Sequence, residues 1–308
     1  MATIVISEFM NEASVERLRA AYDVTYDPAL VDEPERLLEL VGDCRALIVR
    51  NRTQVRGALL NAAGNVECIG RLGVGLDNID LAACRTRGIE VIPASGANDD
   101  SVAEYVITSA QMLLRGAYQS TGAMLEGEWP RQSLIGRELA GKTIGLLGFG
   151  AIARQVAVRA LGLGMDVIAH DPNLLADDPA WGYARNVSKD GIADLSDVVS
   201  LHVPLSESTR HMIDVPFLKA MRRDAILINA ARGGVVDEAA LAFALSEGEI
   251  AGAALDVFEN EPLDAASAAK FSGLNNLLLT PHIAGVTVES NVRVSDMIAD
   301  LVLAKLAG

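Results

Sequence analysis

Two side chains in this 308-residue chain have a type and position suited to ligand binding and catalysis, and one of them is Arg232. It lies in the segment NAARGG (229–234), directly after the strand-length apolar run Ala225 to Ile228. A guanidinium at the carboxyl end of a strand can bind a carboxylate through two parallel hydrogen bonds. An arginine beside a loop can also be an ordinary surface residue. Ligands gather at the carboxyl ends of parallel strands, however, and this position favours a functional arginine.

His282 is the second, in the segment TPHIAG (280–285), again just after an apolar run. Histidine titrates near neutrality, so it can give a proton to a carbonyl oxygen or take one from a hydroxyl. Taken alone, one histidine in a loop is more often structural. Glu261, in DVFENEP (256–262), could orient it, because a carboxylate beside an imidazole favours the charged ring and fixes its tautomer. Glu259 and Glu261 could both be merely solvated charges, so spacing alone leaves this pairing open.

The segment 142–172, KTIGLLGFGAIARQVAVRALGLGMDVIAHDP, is the element that must position this chemistry. A strand-length apolar run, Thr143 to Leu147, ends at Gly148, and Gly150 and Ala153 complete a G-x-G-x-x-A pattern. The first glycine permits a tight turn, the second lets a pyrophosphate approach the backbone, and the small third residue keeps the helix close to the strand. A glycine turn in some other α/β protein is the alternative interpretation.

A second apolar run, Met165 to Ala169, follows the predicted helix and ends near Asp171. The N–H groups of Ala151 and Ile152 open the helix, where the aligned peptide dipoles favour a negatively charged pyrophosphate. Asp171 could accept hydrogen bonds from both ribose hydroxyls and would repel a 2′-phosphate. Strand, turn, helix, second strand and terminal aspartate together predict a site for NAD rather than NADP.

Composition limits the classes of function. The formal net charge is −15, which argues against nucleic acid and anionic membranes as partners. Half of the residues are hydrophobic, without an uncharged apolar run long enough to span a bilayer, so we expect a soluble protein with the cytoplasm as the default location. Cys44, Cys68 and Cys84 form no C-x-x-C pair and are expected to be reduced, buried thiols without a metal.

The first 98 residues alternate apolar runs with helical patterns, which predicts a parallel sheet covered on both faces. No glycine fingerprint follows the first strand, so this part is not expected to hold the nucleotide. The predicted strands are Ile4 to Ile6, Val24 to Tyr26, Ala46 to Val49, Glu67 to Arg71 and Glu90 to Ile92, with helices near 13–21, 33–41, 54–62 and 79–87.

The rest of the chain reads as a helix, an arm and the nucleotide-binding half. One long helical pattern covers Asp99 to Tyr118, and Leu125 to Leu139 is predicted to be an extended arm. Later strands are predicted at Val198 to His202, Ala225 to Ile228, Gly252 to Leu255 and Asn276 to Leu279, before a final helix near 288–307.

The motifs NAARGG, DVFENEP and PHIAG, in that order behind GFGAIA, resemble the D-isomer-specific 2-hydroxyacid dehydrogenases. VGLDNID (74–80), SVAEYV (101–106) and HVPLSEST (202–209) fit too, so the resemblance covers essentially the whole chain. It implies an α/β fold of two doubly wound parallel-sheet domains. A Rossmann NAD domain, residues 99–287, would be inserted into a flavodoxin-like substrate domain, residues 1–98 plus 288–308. Ala153 stands where the family usually has a third glycine.

The resemblance also implies residue roles. Arg232 would bind the carboxylate and keto oxygen of the substrate, and His282 would be the acid/base, paired with Glu261. The N–H groups of the segment Gly73, Val74 and Gly75 would form a second carboxylate clamp. The residues that would line the nicotinamide side are Val203, Pro204, Ala230, Ala231 and Asp256, the last bonding the carboxamide.

Substrate choice depends on VRNRT (49–53), where Arg50 and Arg52 follow a predicted strand and could face one side. This resembles the phosphoglycerate dehydrogenase branch, where basic residues here hold the distal phosphate. It predicts a small anionic 2-hydroxy acid with an anion on C3, namely 3-phosphoglycerate or 3-sulfolactate. The two arginines could equally form ion pairs in an acidic protein. Hydroxypyruvate or glyoxylate reduction is the alternative activity.

A different class of function also fits the motifs. Corepressor relatives of the family use NAD as a redox signal and keep the arginine, glutamate and histidine, so a non-catalytic NAD sensor is the second hypothesis. The helix Asp99 to Tyr118 and the arm around Trp129 resemble the family's dimer contacts and predict a homodimer.

Overall fold

The computed structural model describes residues 3–308. The chain forms two compact units. The first unit runs to Asn98 and resumes at Val286–Gly308, and the second unit is Asp99–Gly285.

The elements are numbered in chain order. The strands are β1 (Ile4–Ile6), β2 (Val24–Tyr26), β3 (Ala46–Val49), β4 (Cys68–Arg71), β5 (Glu90–Pro93), β6 (Thr143–Leu147), β7 (Asp166–His170), β8 (Arg185–Asn186), β9 (Val198–Leu201), β10 (Ile226–Asn229), β11 (Gly252–Leu255) and β12 (Leu277–Leu279). The helices are α1 (Glu12–Arg19), α2 (Pro34–Val41), α3 (Gly57–Ala62), α4 (Leu81–Thr86), α5 (Asp99–Arg115), α6 (Thr121–Leu125), α7 (Ala151–Gly162), α8 (Lys189–Leu195), α9 (Val215–Ala220), α10 (Glu238–Ser246), α11 (Ala265–Ala268) and α12 (Val288–Ala307). Short 3₁₀ helices occur at Pro28–Asp32, Ala117–Gln119, Pro179–Tyr183 and Ala269–Phe271.

The first unit is built on a parallel sheet with the strand order β2-β1-β3-β4-β5. Every residue of β1 and β3 is buried, as expected for parallel strands with both faces covered. One face packs against α12, where the backbone of Gly70 approaches Ile298 so closely that a Cβ at Gly70 would lie 2.7 Å from its methyl group. The final helix therefore belongs to the core of the first unit.

The second unit is built on a parallel sheet with the order β12-β11-β10-β9-β6-β7-β8. The strand order reverses between β6 and β9, and in doubly wound sheets ligands bind at the carboxyl ends of the strands that flank such a point. The two parallel sheets with their interleaved helices confirm the predicted α/β fold class.

The region between α5 and β6 differs from the prediction in one respect. The predicted helix Asp99 to Tyr118 ends at Arg115, because Gly116 takes a left-handed φ of +62° and terminates it. The arm after α6 consists of turns and irregular backbone. Its apolar side chains stand out from the second unit, with Leu125 84%, Trp129 76% and Ile135 75% exposed.

Smaller elements were not predicted. These are the two-residue edge strand β8 and the helices α6 and α8 to α11, which lie in segments for which the sequence predicted no helix or strand. Within residues 3–308, no helix combines the length and the apolar character that crossing a membrane would require.

Candidate active site

The turn between β6 and α7 has the geometry that a dinucleotide needs. Gly148 has a φ of +86°, and a Cβ there would lie 2.5 Å from the carbonyl oxygen of His202, so only glycine fits. A Cβ at Gly150, in contrast, would meet no atom within 4 Å, so this side of the turn is open to a ligand. The helix begins at Ala151, and Ala153 is completely buried beneath it. The residues present therefore fit a pyrophosphate at the helix N-terminus.

Asp171 follows β7 and lies beside the same turn. One carboxylate oxygen accepts the N–H of Phe149 at 2.9 Å, and the other accepts the N–H of Asn173 at 2.9 Å. An ionised carboxylate has about four acceptor positions, so each oxygen can accept a further hydrogen bond. The structure thus fixes a carboxylate at the strand end where the sequence predicted a ribose partner.

The remaining predicted cofactor residues lie at the carboxyl ends of β9 and β10, which are neighbouring strands. They are Val203, Pro204, Ala230 and Ala231. Asn229 at the end of β10 is buried and closes the next turn, because its side chain accepts the N–H of Ala231 at 3.1 Å and donates to the carbonyl of Arg232 at 2.9 Å. Sequence patterns did not single out Asn229, although it shapes the loop that presents Arg232.

The following glycine also fixes the position of Arg232. A Cβ at Gly233 would overlap the carbonyl oxygen of Phe258, so the loop can approach this neighbouring backbone only with glycine at that position. The guanidinium is near enough to Glu261 that its charge lowers the pKa of that carboxyl group. The structure therefore brings together two of the residues that the sequence predicted to act together.

His282 and Glu261 form a direct hydrogen-bonded pair. The ring Nδ1 is 2.7 Å from Oε2 of Glu261, and Oε1 of the same carboxylate accepts the N–H of Phe258 at 3.0 Å. With Nδ1–H donated to the carboxylate, Nε2 carries either the lone pair of the neutral ring or the second proton of the charged ring. The pairing that spacing alone left open is thus present.

The pKa of Glu261 is set by opposing effects. Burial by itself raises the pKa, but the hydrogen bond and charge of His282, the N–H of Phe258 and the charge of Arg232 outweigh it, and the net pKa is lowered. Glu261 is therefore a stable carboxylate at neutral pH, as a group that holds an imidazolium requires.

Glu259, two residues before Glu261, has different partners. Its Oε1 lies 3.1 Å from Nε2 of His211 and accepts the N–H of Glu238 at 3.2 Å. In return, Glu238 accepts the N–H of Glu259 at 2.6 Å and the ammonium of Lys270 at 2.7 Å. These contacts hold the loop between β11 and α11 and separate the structural carboxylate from the one that faces His282.

Asp256 anchors the segment that carries His282. The side chain is only 1% exposed, and Oδ1 accepts the hydroxyl of Thr280 at 2.6 Å and the N–H of Ile283 at 2.8 Å. Oδ2 accepts the N–H of Ala284 at 2.8 Å, and the backbone carbonyl accepts the N–H of His282 at 2.8 Å. These bonds support the left-handed backbone of His282, whose φ is +55°. The family resemblance predicted a contact between Asp256 and the nicotinamide carboxamide but not this role in anchoring the segment of His282.

Residues 107–284 match the sequence model of the NAD-binding domain of the D-isomer specific 2-hydroxyacid dehydrogenases. The chain belongs to the D-isomer specific 2-hydroxyacid dehydrogenase family. A solved structure, a D-lactate dehydrogenase from Aquifex aeolicus complexed with NAD and lactic acid, superimposes with a TM-score of 0.86 at 26% identity, covering 99% of this chain and 96% of that one. The protein is an NAD-dependent 2-hydroxyacid dehydrogenase, which confirms the predicted family, activity class and cofactor.

Relatives of this dehydrogenase include enzymes named for several substrates. It is 54% identical over 301 residues to an (S)-sulfolactate dehydrogenase of Chromohalobacter salexigens, covering 97% of each chain. It is 39% identical to a hydroxypyruvate reductase of Thermotoga maritima, covering 89% of each. A D-3-phosphoglycerate dehydrogenase of Methanocaldococcus jannaschii is 35% identical over an alignment of 311 residues that covers all of this chain and 58% of the relative. The predicted resemblance to the phosphoglycerate dehydrogenase branch is thereby confirmed.

In the first unit of the dehydrogenase, Arg50 and Arg52 have unlike environments. Arg50 is half-buried, and its guanidinium donates to Oδ1 of Asn291 at 2.6 Å and lies 5.9 Å from the ring centroid of Phe9. Burial lowers the pKa of Arg50, and the charge of Glu8 partly offsets that effect. Arg52 is exposed and forms an ion pair with Asp32. The segment therefore contains one half-buried arginine, Arg50, and one exposed arginine, Arg52.

In the predicted carboxylate clamp, residues 73–75, one of the three N–H groups already forms a hydrogen bond within the protein. Gly73 takes a φ of +147°, and its N–H donates to the carbonyl of Arg71 at 2.7 Å. Within the described residues, the N–H groups of Val74 and Gly75 donate to no backbone carbonyl. The part of the predicted clamp that can meet a ligand is therefore the pair of N–H groups that follow Gly73.

Proposed function

We propose that this dehydrogenase oxidises a three-carbon 2-hydroxy acid with an anionic group on C3, and that (S)-3-sulfolactate is its first candidate substrate. The observation that carries the proposal is the environment of Arg50. Within residues 3–308, no carboxylate forms an ion pair with Arg50. The relative named (S)-sulfolactate dehydrogenase, at 54% identity over nearly the whole of both chains, supports the same substrate class.

A half-buried cation that donates to a neutral amide, without an ion pair among residues 3–308, is incompletely compensated. Moving a guanidinium out of water costs free energy, and this is why burial lowers the pKa of Arg50. A sulfonate or phosphate oxygen would restore the lost solvation through charge-assisted hydrogen bonds, which are about twice as strong as neutral ones. Arg52 lacks this property, because Asp32 already neutralises it at the surface.

The acid group of the substrate would be bound by Arg232 and by the N–H groups of Val74 and Gly75. Arg232 would also contact the oxygen on C2 and stabilise the negative charge that develops there. Bound NAD supplies the acceptor for the hydride that leaves C2, and NADH supplies the donor in the reverse direction.

His282 would move the proton. In oxidation, Nε2 takes the proton of the C2 hydroxyl while the C2–H bond breaks and its electron pair leaves with the hydride. Glu261 accepts Nδ1–H throughout, so it fixes the tautomer that leaves Nε2 free to accept and stabilises the imidazolium that results. In reduction, the same imidazolium returns the proton to the oxygen of the 2-oxo acid.

The proposed cofactor residues divide by the part of NAD that they would meet. Gly148, Gly150 and the N–H groups of Ala151 and Ile152 would bind the pyrophosphate, and Asp171 would bind the ribose hydroxyls. The nicotinamide side would be lined by Val203, Pro204, Ala230 and Ala231. For Asp256 we propose that anchoring the loop of His282 is the main task, alongside the predicted contact with the carboxamide.

The candidate substrates differ in reach and in label. A sulfonate is attached directly to C3, whereas a phosphate is attached through an oxygen and lies one atom farther out. Sulfur on C3 changes the priority order at C2, so (S)-3-sulfolactate has the same spatial arrangement as the D-hydroxy acids. Hydroxypyruvate, which carries a neutral group on C3, is the second candidate, and the relative from Thermotoga maritima supports it.

The test is a substrate panel with NAD: (S)-3-sulfolactate, 3-phosphoglycerate, D-glycerate and D-lactate, with the 2-oxo acids and NADH in reverse. We expect the highest kcat/KM with sulfolactate. Replacement Arg50→Ala should raise KM for 3-sulfopyruvate by about tenfold or more but leave KM for glyoxylate, which has no C3, nearly unchanged. Arg52→Ala is the matched control and should change neither. Equal effects of Arg50→Ala on both substrates, or a preference for hydroxypyruvate, would reject the C3 anion.

We also propose a homodimer formed through the arm around Trp129. Its exposed Leu125, Trp129 and Ile135 form an apolar surface of the kind that protein interfaces cover. Sedimentation should give a dimer for the wild type and a weaker dimer for Trp129→Ser. Leu175→Ser is the control, because Leu175 is similarly exposed but lies outside the arm. A monomer at micromolar concentration would reject the proposal.

For location, we propose the cytoplasm, and the three free, buried cysteine thiols fit a reducing compartment. Cell fractionation would test this, and recovery of the protein outside the cytoplasm would contradict it.

A further inference from the structure

Glu8 is a buried carboxylate that no motif identified. It follows β1 after one residue and is only 5% exposed. Oε1 accepts the N–H of Arg50 at 2.8 Å and the N–H of Thr53 at 3.0 Å, and Oε2 accepts the N–H of Arg52 at 3.1 Å. The loop that carries the proposed anion-binding arginine is therefore wrapped around a single carboxylate from a different strand.

The carbonyl groups of the same loop are held from another side. Nδ2 of Asn78 donates to the carbonyl of Arg50 at 3.1 Å and to that of Thr53 at 2.7 Å. The hydroxyls of Ser7 and Thr53 lie 2.9 Å apart in a further hydrogen bond. Glu8 and Asn78 thus divide the polar backbone of residues 50–53 between them, one taking N–H groups and the other taking carbonyls.

This arrangement has a consequence for how an anion can bind. Successive N–H groups that converge on one point form a cavity that attracts anions. Here the cavity is already filled by the carboxylate of Glu8, so an anionic ligand cannot use those N–H groups. Among residues 3–308, the charged donor of this loop without an ion pair is the guanidinium of Arg50, and its orientation becomes decisive.

The guanidinium of Arg50 is correspondingly restrained. Its backbone is fixed through Glu8, Nη2 is bonded to Asn291, and the plane lies near the ring of Phe9. Holding a long flexible side chain in advance of binding saves conformational entropy when the ligand arrives. The negative charge of Glu8 also favours the charged form of Arg50 against the effect of burial.

We propose that Glu8 is a positioning residue that determines selectivity for the C3 anion, because it fixes the loop 50–53 and so aims Arg50. The inference rests on the proposed function, since it assigns Glu8 to the subsite in which Arg50 binds the anion. Glu8 itself touches neither substrate nor cofactor. It acts only through the backbone of the loop.

The test is Glu8→Gln, which keeps the size of the side chain but replaces one acceptor oxygen with an NH₂ group. That group would face an N–H donor, so at least one of the three hydrogen bonds is lost. We expect KM for 3-sulfopyruvate to rise by about tenfold, with kcat and KM for glyoxylate changing by less than about twofold. Glu16→Gln is the matched control, because Glu16 is an exposed carboxylate on the neighbouring α1, and it should change neither substrate.

A purely structural Glu8 would give a different result. The variant would then melt at a lower temperature and lose activity equally with both substrates, and this outcome would overturn the proposal. If Glu8→Gln fails to fold, Asn78→Ala replaces it, because it releases the loop from the carbonyl side. The same selective rise in KM would support the proposal, and an equal change with both substrates would again overturn it.

Arg50→Ala separates this inference from the function on which it rests. If Arg50→Ala is selective and Glu8→Gln is not, only the assignment of Glu8 fails. If Arg50→Ala itself is not selective, the C3-anion site is rejected and the inference falls with it.

Discussion

Replacement Glu261→Gln tests how much the negative charge beside His282 contributes to catalysis. In the wild type, Nδ1 lies 2.7 Å from a carboxylate whose own pKa is lowered, so Glu261 stays charged throughout a neutral assay range. Glutamine keeps the shape but removes the charge. A hydrogen bond to a charged group contributes about 1.5–3 kcal/mol, and that amount corresponds to about tenfold to a hundredfold in rate.

Reduction of a 2-oxo acid needs imidazolium, which the carboxylate stabilises, so the effect has a definite sign. We expect kcat for reduction at pH 7.5 to fall by about tenfold to a hundredfold. The assay is kcat for reduction at saturating NADH and 2-oxo acid.

Glu259→Gln is the matched control for this prediction, because Glu259 lies on the same loop but contacts His211 instead. It should change kcat by less than about twofold. An unchanged kcat in Glu261→Gln, or an equal loss in Glu259→Gln, would refute the reasoning that the carboxylate stabilises the charged ring.

Three further predictions follow from individual contacts. Asp171→Ala should reduce the preference for NAD over NADP by about tenfold or more in kcat/KM, and unchanged discrimination would contradict its ribose assignment. Burial raises the pKa of Cys44 to about 12, that of Cys68 to about 11 and also that of Cys84. Iodoacetamide at pH 8 should therefore label all three thiols only after unfolding, and rapid labelling of the native protein would contradict this prediction. Burial lowers the pKa of His202 from 6.5 to about 4. Between these pH values the folded chain binds fewer protons than the unfolded chain, so the free energy of unfolding should fall as the pH decreases. In urea titrations, the decrease in the free energy of unfolding from pH 7 to pH 5 should be about 2 kcal/mol smaller for His202→Gln than for the wild type, and an equal decrease in both proteins would count against it.

The nucleotide-binding element could be predicted because its signal is local. Gly148, Gly150 and Asp171 all lie within one strand–helix–strand segment, where each residue type has a direct steric or electrostatic reason. The end of α5 could also have been predicted from local signals. Arg115 in the last turn and Gly116 directly after it are typical of a helix C-terminus, although the predicted helix continued to Tyr118.

The residues that position the site could not be predicted, because their partners are distant in sequence. Glu8 is separated by 42 residues from Arg50, and Asp256 by 28 residues from Ala284. A solvated carboxylate and a buried one look alike in a sequence, and only the fold reveals which N–H groups they accept. For the same reason, spacing could not decide whether Glu261 pairs with His282 or is a solvated charge.

The proposed reaction moves a hydride between C2 of a C3-anionic hydroxy acid and NAD. This transfer is tested most directly with (S)-3-sulfolactate that carries deuterium on C2. We predict that NADH forms with the deuterium on its nicotinamide ring, and that His282→Ala lowers kcat by about a hundredfold or more while NAD still binds. Deuterium released into water, or no NADH from any acid of the panel, would contradict the account.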